Sequence, residues 1–244
     1  MKQRVTIVTG GSRGIGAAAA LACGRRGDAV VVNYTRDAEA AQAVVRQIGE
    51  AGGRAIAVQA DVSIEAEVLR LFETVDREFG ALGGLVNNAG VVDVAARVDQ
   101  MTSERLTRMF AINVFGSIFC AREAVKRMST AHGGAGGVIV NVSSAAARLG
   151  GSGQYVDYAA AKGAIDSFTI GLAKEVATEG IRVNAVRPGI IDTEIHASGG
   201  QPDRAARMAS LVPLQRPGSA EEWPRRSSGC CRTLRATAPA PSST

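Results

Sequence analysis

Six short runs of apolar residues punctuate the chain, at 5–9, 29–33, 55–59, 85–87, 138–142 and 182–186. Valine dominates them, and each is too short for a buried helix, which predicts strands. Between them apolar positions recur at helical spacing, over about 17–26, 38–51, 64–79, 103–129 and 157–178. Strand and helix in alternation predict an α/β fold whose sheet is parallel and doubly wound, with right-handed crossovers. Such a sheet binds ligands outside the carboxyl ends of its strands. Thr9, Asn33, Asp61, Asn88, Ser144 and Pro188 all fall at or just beyond those ends, so polar and turn-forming residues gather on one rim. The glycines at 133–137 read as a turn and not as a phosphate loop, because a strand follows them instead of a helix.

Two places on that rim carry chemistry. Thr9-Gly10-x-x-x-Gly14-x-Gly16 closes the first strand and opens an alanine-rich helix. Glycines there allow a tight turn and a close ligand approach, and the helix N–H groups face an anion, which suits a dinucleotide pyrophosphate. The second place is Tyr158-Ala-Ala-Ala-Lys162, whose spacing puts a phenol and an ammonium on one helix face. A phenol with a pKa of about 10 is roughly 0.1% ionised at neutral pH, and bringing it to about 7 takes roughly 4 kcal/mol. A cation about 6 Å away supplies on the order of 2–3 kcal/mol of this at an effective dielectric of about 20. Hydrogen bonds to the phenolate would supply the rest.

Asn87-Asn88-Ala89-Gly90, Asn113, Ser143-Ser144 and Tyr158-x-x-x-Lys162 follow the glycine turn in an order that resembles the short-chain dehydrogenases/reductases. The resemblance runs from residue 5 to about 222 and extends to glucose- or ribitol-dehydrogenase-like and 3-oxoacyl-carrier-protein-reductase-like members. It implies a single Rossmann-like domain and hydride transfer between a nicotinamide and a carbonyl or secondary alcohol. Tyr158 would be the proton donor and acceptor. Lys162 would depress the Tyr158 pKa and hold the nicotinamide ribose. Ser144, in preference to Ser143, would position the substrate. Asn113 would bind a water in a relay from Lys162 to solvent, although a helix kink or an inter-helix hydrogen bond would equally explain it. Cofactor contacts are implied for Gly10, Ser12, Arg13, Gly14, Ile15 and Gly16, then for Tyr34, Thr35 and Arg36 after the second strand. Asp61 and the Val62 N–H would meet the adenine, and Asn88, Ala89 and Gly90 would line the site. Pro188, Gly189, Ile191 and Thr193 would hold the carboxamide. A substrate lid is implied at about 190–213. Tyr155 has Ala159 where a lysine would be needed and is expected to line the cleft. His196, in the lid, is assigned no metal.

Cofactor choice follows from the end of the second strand. An acid there binds the ribose 2′-hydroxyl of NAD and repels a 2′-phosphate. Here Asn33-Tyr34-Thr35-Arg36 offers no carboxylate before Asp37, and Arg13 adds a second guanidinium. Planar guanidinium forks suit phosphate, so NADP(H) is expected over NAD(H).

Composition bounds the rest. With 46% hydrophobic residues, 244 residues can bury one sizeable α/β core. There is neither a leading apolar segment nor a run of eighteen apolar residues, so a cytoplasmic protein with no membrane partner is expected. Cys23, Cys120, Cys230 and Cys231 lack disulfide-framework or zinc-ligand spacing. The net charge of +5 raises the question of nucleic acid. However, residues 223–244 hold four arginines and no acid, which leaves +1 for residues 1–222 and no basic helix to explain.

Beyond Glu222 the resemblance stops, and the usual last helix and strand of the fold are lost. Restoring one G after the codon for Glu222 returns an apolar helix followed by Thr-Gly-Ala-Leu-Val-Asp. Residues 223–244 are therefore read as a frameshift product. A homotetramer or homodimer is expected where the C-terminus is intact. For the chain as written, an inactive cofactor-binding or scaffold protein, or a non-functional product, stays open as the alternative.

Overall fold

The computed structural model describes residues 3–222; the frameshift reading and the lost last helix and strand concern residues 223–244, outside them. Six strands form one wholly parallel sheet: β1 (Val5–Val8), β2 (Ala29–Tyr34), β3 (Arg54–Gln59), β4 (Leu82–Asn87), β5 (Gly137–Val142) and β6 (Ile181–Val186). Their order is β3-β2-β1-β4-β5-β6. The order reverses between β1 and β4, so a crevice opens at the carboxyl ends of these two strands.

Each strand matches a predicted run: β1 stops one residue short of it, and the other five gain one to three residues. The largest extension is at β4, where Gly83-Gly84 hides the strand pattern. Glycine is required there by crowding: a Cβ on Gly84 would lie 2.5 Å from Thr6 Oγ1. The β1–β4 register also shifts beside this point.

Side chains alternate across the sheet as the pleat demands. Val5, Ile7, Ala29 and Val31 face one core with α3 (Glu65–Phe79), where Phe72, Leu71 and Val75 are buried. Val8, Val30 and Val32 face the other, with α1 (Gly14–Arg25) and α2 (Ala38–Glu50). Both faces are covered, which is why the strands read as continuous apolar runs.

The periodic segment at 103–129 is not one helix. It divides into α4 (Ser103–Phe110), a π-helical turn over Ala111–Phe115, and α5 (Gly116–Met128). Asn113 causes the break. Its Nδ2 donates to Met109 O and to Val91 O, both at 3.0 Å, and its Oδ1 accepts from Val91 N at 3.2 Å. A short helix α6 (Ala146–Leu149) and the long α7 (Val156–Glu175) follow β5. After β6 come two single-turn helices, α8 (Ile195–Ser198) and α9 (Arg204–Arg207), inside the expected lid.

Candidate active site

The glycine turn is held from both sides by side-chain amides. Asn88 Nδ2 donates to Thr9 O and Gly10 O at 3.0 Å, while Thr9 Oγ1 accepts from the N–H groups of Asn88 and Ala89, also at 3.0 Å. On the other flank Gly10 N donates to Asn33 Oδ1 at 3.2 Å, and Asn33 Nδ2 donates to Ala60 O at 2.9 Å. A Cβ on Gly16 would lie 2.1 Å from Gly10 O, so only glycine fits. Gly10 and Gly14 take left-handed backbone angles. The helix beyond begins at Gly14, earlier than the alanine run suggests. Its N-cap, Arg13, makes no side-chain cap bond, and no acid lies in the first turn. Those open N–H groups and the uncompensated helix dipole fit a pyrophosphate.

Beside the turn, Arg13, Thr35 and Arg36 are exposed, and Tyr34 is half-buried. Among the described residues neither arginine has an ion pair. Asp37, the first acid after β2, is committed elsewhere: its Oδ1 accepts from Ala40 N at 2.9 Å and caps α2. Asp61 ties Ser63 through Oδ1, while Val62 is buried against Gly116.

Tyr158 and Lys162 share the inner face of α7. Lys162 is buried, with Nζ 5.7 Å from the Tyr158 ring centroid and donating to Val142 O at 2.8 Å. Burial pulls its pKa down to about 8, against the opposing charge of Asp166. Tyr158 is pushed above its ordinary value, chiefly by burial; a hydrogen bond with Ser144 and the charge of Arg204 pull the other way. Lys162, expected to depress the Tyr158 pKa, is not among the groups that shift it. The ammonium is engaged by the β5 carbonyl, and the same burial that penalises a phenolate penalises the ammonium.

The two serines are separated by their partners. Ser143 is buried and donates to Lys162 O at 3.2 Å, whereas Ser144 bonds Tyr158 and accepts from Ala146 N at 3.1 Å. Asn113 is buried behind Gly90: a Cβ on Gly90 would lie 2.7 Å from Asn113 Oδ1 and 3.4 Å from Lys162 Nζ. The kink and the approach to Lys162 therefore coexist.

Pro188 O accepts from Ala145 N at 2.9 Å, tying the loop after β6 to the serine turn. The loop then reaches the glycine turn, where the Thr193 methyl would lie 3.2 Å from a Cβ on Gly14. Ile191 forms a bridge with Gly218 that closes the intervening segment, the expected lid, at its base. His196 neither points to a metal nor stands free: its Nε2 is 2.9 Å from Ile191 O. Among the described residues there is no metal-ligand cluster, and no helix is long and apolar enough to cross a membrane.

Tyr155 departs from its expected place lining the cleft. It is 5% exposed, and its hydroxyl accepts from Gln201 Nε2 at 3.0 Å, because the segment after β6 folds onto it.

The sequence matches the short chain dehydrogenase family over residues 4–203. The chain belongs to this family. YgfF, an uncharacterized oxidoreductase of Escherichia coli, is 54% identical over 218 residues, covering 89% of this chain and 88% of its own. A 3-oxoacyl-[acyl-carrier-protein] reductase of Synechocystis is 39% identical over 219 residues, covering 90% and 85%. Among solved structures, a short chain dehydrogenase from Burkholderia cenocepacia in complex with NADP aligns with a TM-score of 0.84 at 34% identity, covering 93% of this chain and 89% of that one. The chain is thus an oxidoreductase of the class that acts on CH–OH groups with a nicotinamide cofactor.

Three supports of this short-chain dehydrogenase site escape sequence reasoning. One is the bracing role of Asn33, whose place on the rim is legible but whose bonds to Gly10 and Ala60 are not. Arg105 and Asp157 form a bidentate pair at 2.7 and 3.2 Å that fastens α4 to the first turn of α7. Arg204, in α9, is the third, and nothing in the one-dimensional pattern brings it to Tyr155.

Proposed function

We propose that this short-chain dehydrogenase is an NADP(H)-dependent oxidoreductase interconverting a small-molecule carbonyl and a secondary alcohol, with Tyr158 as acid and base. The observation that carries the reading is the half-buried Tyr158 hydroxyl bonded to Ser144, one helical turn from a buried Lys162. The nicotinamide, when bound, supplies the hydride in reduction and accepts it in oxidation. Ser144 donates to the substrate oxygen, where negative charge grows as the carbonyl carbon is reduced. Tyr158 gives its proton to that oxygen and recovers it in the reverse direction. Lys162 places a positive charge behind the phenol and reaches the ribose hydroxyls. Asn113 orders a water between Lys162 and solvent. Gly10, Ser12, Gly14, Ile15 and Gly16 take the pyrophosphate. Asp61 and Val62 take the adenine, Asn88 to Gly90 line the base of the site, and Pro188, Gly189, Ile191 and Thr193 take the carboxamide.

Arg13 and Arg36 favour the 2′-phosphate, because both are exposed and unpaired and Asp37 is spent as a helix cap. Residues 1–222 form the catalytic domain with a lid at about 190–213, in a cytoplasmic enzyme that assembles as a homodimer or homotetramer where the C-terminus is intact. A screen that follows NADPH oxidation with acetoacetyl thioesters, sugars, simple ketones and keto acids, and NADP+ reduction with polyols, tests the reading. Turnover by the chain with its C-terminus restored is expected, with loss in Tyr158→Phe at unchanged NADPH affinity. Turnover that survives Tyr158→Phe overturns it.

A further inference from the structure

The lid brings a cation to the catalytic end of α7. Arg204, the first residue of α9, lays its guanidinium over the Tyr155 ring, 4.9 Å from the centroid. It also donates from Nη2 to Gln154 Oε1 at 3.4 Å. The platform beneath is fixed, since Tyr155 is buried with its hydroxyl held by Gln201. Tyr155 is the N-cap of α7, and Tyr158 follows one turn later. The guanidinium therefore stands on the residue that opens the helix carrying Tyr158.

The acids around it are already committed. Asp203, on the same lid turn, pairs with Arg207 at 3.2 Å, and Asp157, next to Tyr158, is taken by Arg105. Among the described residues Arg204 has no carboxylate partner. A half-buried guanidinium with planar donors and no counter-charge is poised for a carboxylate. A phosphate dianion would call for a second cation, and Arg207 is neutralised by Asp203 and holds Gln201 Oε1 at 2.6 Å.

We propose that Arg204 determines substrate specificity by binding a carboxylate carried close to the reacting centre, so that the substrates are keto acids and hydroxy acids, not neutral ketones or sugars. This rests on the reaction assigned to Tyr158, and it adds what the pocket selects.

Binding is measured by calorimetry on the full chain carrying Tyr158→Phe and loaded with NADP+, so that no turnover intervenes. The probes are two matched pairs, acetoacetate with acetoacetamide and phenylglyoxylate with phenylglyoxylamide. In at least one pair the acid is expected to bind about tenfold or more tighter than the amide, as befits a site whose half-buried charge is otherwise unmatched. Arg204→Gln brings that ratio to about one, and Arg204→Lys restores part of it because the charge returns without the planar fork. Equal binding of acid and amide in both pairs, or a preference that survives Arg204→Gln, overturns the proposal. So does a parallel loss of acid and amide in Arg204→Gln, which would make the arginine a latch on Tyr155 only. NADPH oxidation with neutral carbonyls but no acids would also sink it while leaving the role of Tyr158 intact. Absence of turnover with any carbonyl would sink that role and leave the binding ratio to judge Arg204.

Discussion

Lys162 is an ammonium in the protein interior that donates to the Val142 carbonyl, and its burial has a cost in stability. The folded state gives up this proton near pH 8, whereas the ordinary value is 10.5. Between those values the unfolded chain holds more protons, so this group makes stability rise with pH across that window. Lys162→Met removes the rise. The variant is expected to be inactive yet at least as stable as wild type at neutral pH in urea denaturation, with its advantage shrinking as pH climbs from about 8 to 10.5. A gap that stays constant would contradict a burial-lowered pKa. Exposed Arg13 and Arg36 can be probed through the cofactor. Losing a charge-assisted contact of about 1.5–3 kcal/mol should raise the NADPH dissociation constant roughly 10- to 100-fold in Arg36→Ala or Arg13→Ala, with NADH little affected. Equal weakening for both cofactors would argue against a 2′-phosphate site. At this scale the sequence is legible where spacing is local: Tyr158 and Lys162 four apart, or the glycines between Gly10 and Gly16. It is silent where a partner arrives through the fold. Arg204 needs the lid to close on Tyr155, and Asn33 needs β3 and the glycine turn on either side of it.

The elements are joined by a few polar fasteners whose removal has a calculable price. Arg105 and Asp157 are 10% and 0% exposed as side chains and hold α4 against the N-terminal turn of α7. Arg105→Ala would strand a buried carboxylate and is expected to cost about 3–5 kcal/mol in chemical denaturation. Replacing both residues with leucine should recover most of this loss, because no unpaired charge remains. If the double variant is as unstable as the single one, the pair does more than neutralise itself. The strand and helix alternation is readable because both faces of the sheet are covered and every crossover carries its own periodic stripe. The π turn at Ala111–Phe115 is not readable, since its cause lies in bonds from Asn113 to Val91, twenty-two residues away. The start of β4 is obscured for a different reason: two glycines demanded by strand crowding look like a loop in one dimension.

Across the whole molecule the described residues divide into a sheet with two packed cores and a segment, the proposed lid, that leaves and rejoins it at one point. Ile191 and Gly218 bridge, with Asp192 N donating to Gly218 O and Gly218 N to Ile190 O, each at 2.9 Å. Residues 192–217 carry only single-turn helices, and few of their side chains are buried. Their amides are expected to exchange with deuterium well before those of β1, β4 and β5, in one cooperative group. Protection equal to the sheet would mean that the lid opens only by global unfolding. The bridge at its base has a further consequence. Because the ends meet, the segment can be treated as a cassette. Doubling the length of a closed loop costs only about 0.6 kcal/mol in closure entropy, so a relative's segment of different length can be spliced between the same two residues. Such a transplant should exchange the range of accepted substrates while leaving the melting temperature and the cofactor preference of the host largely in place. Descendants of a single scaffold could then have diversified by trading this one piece.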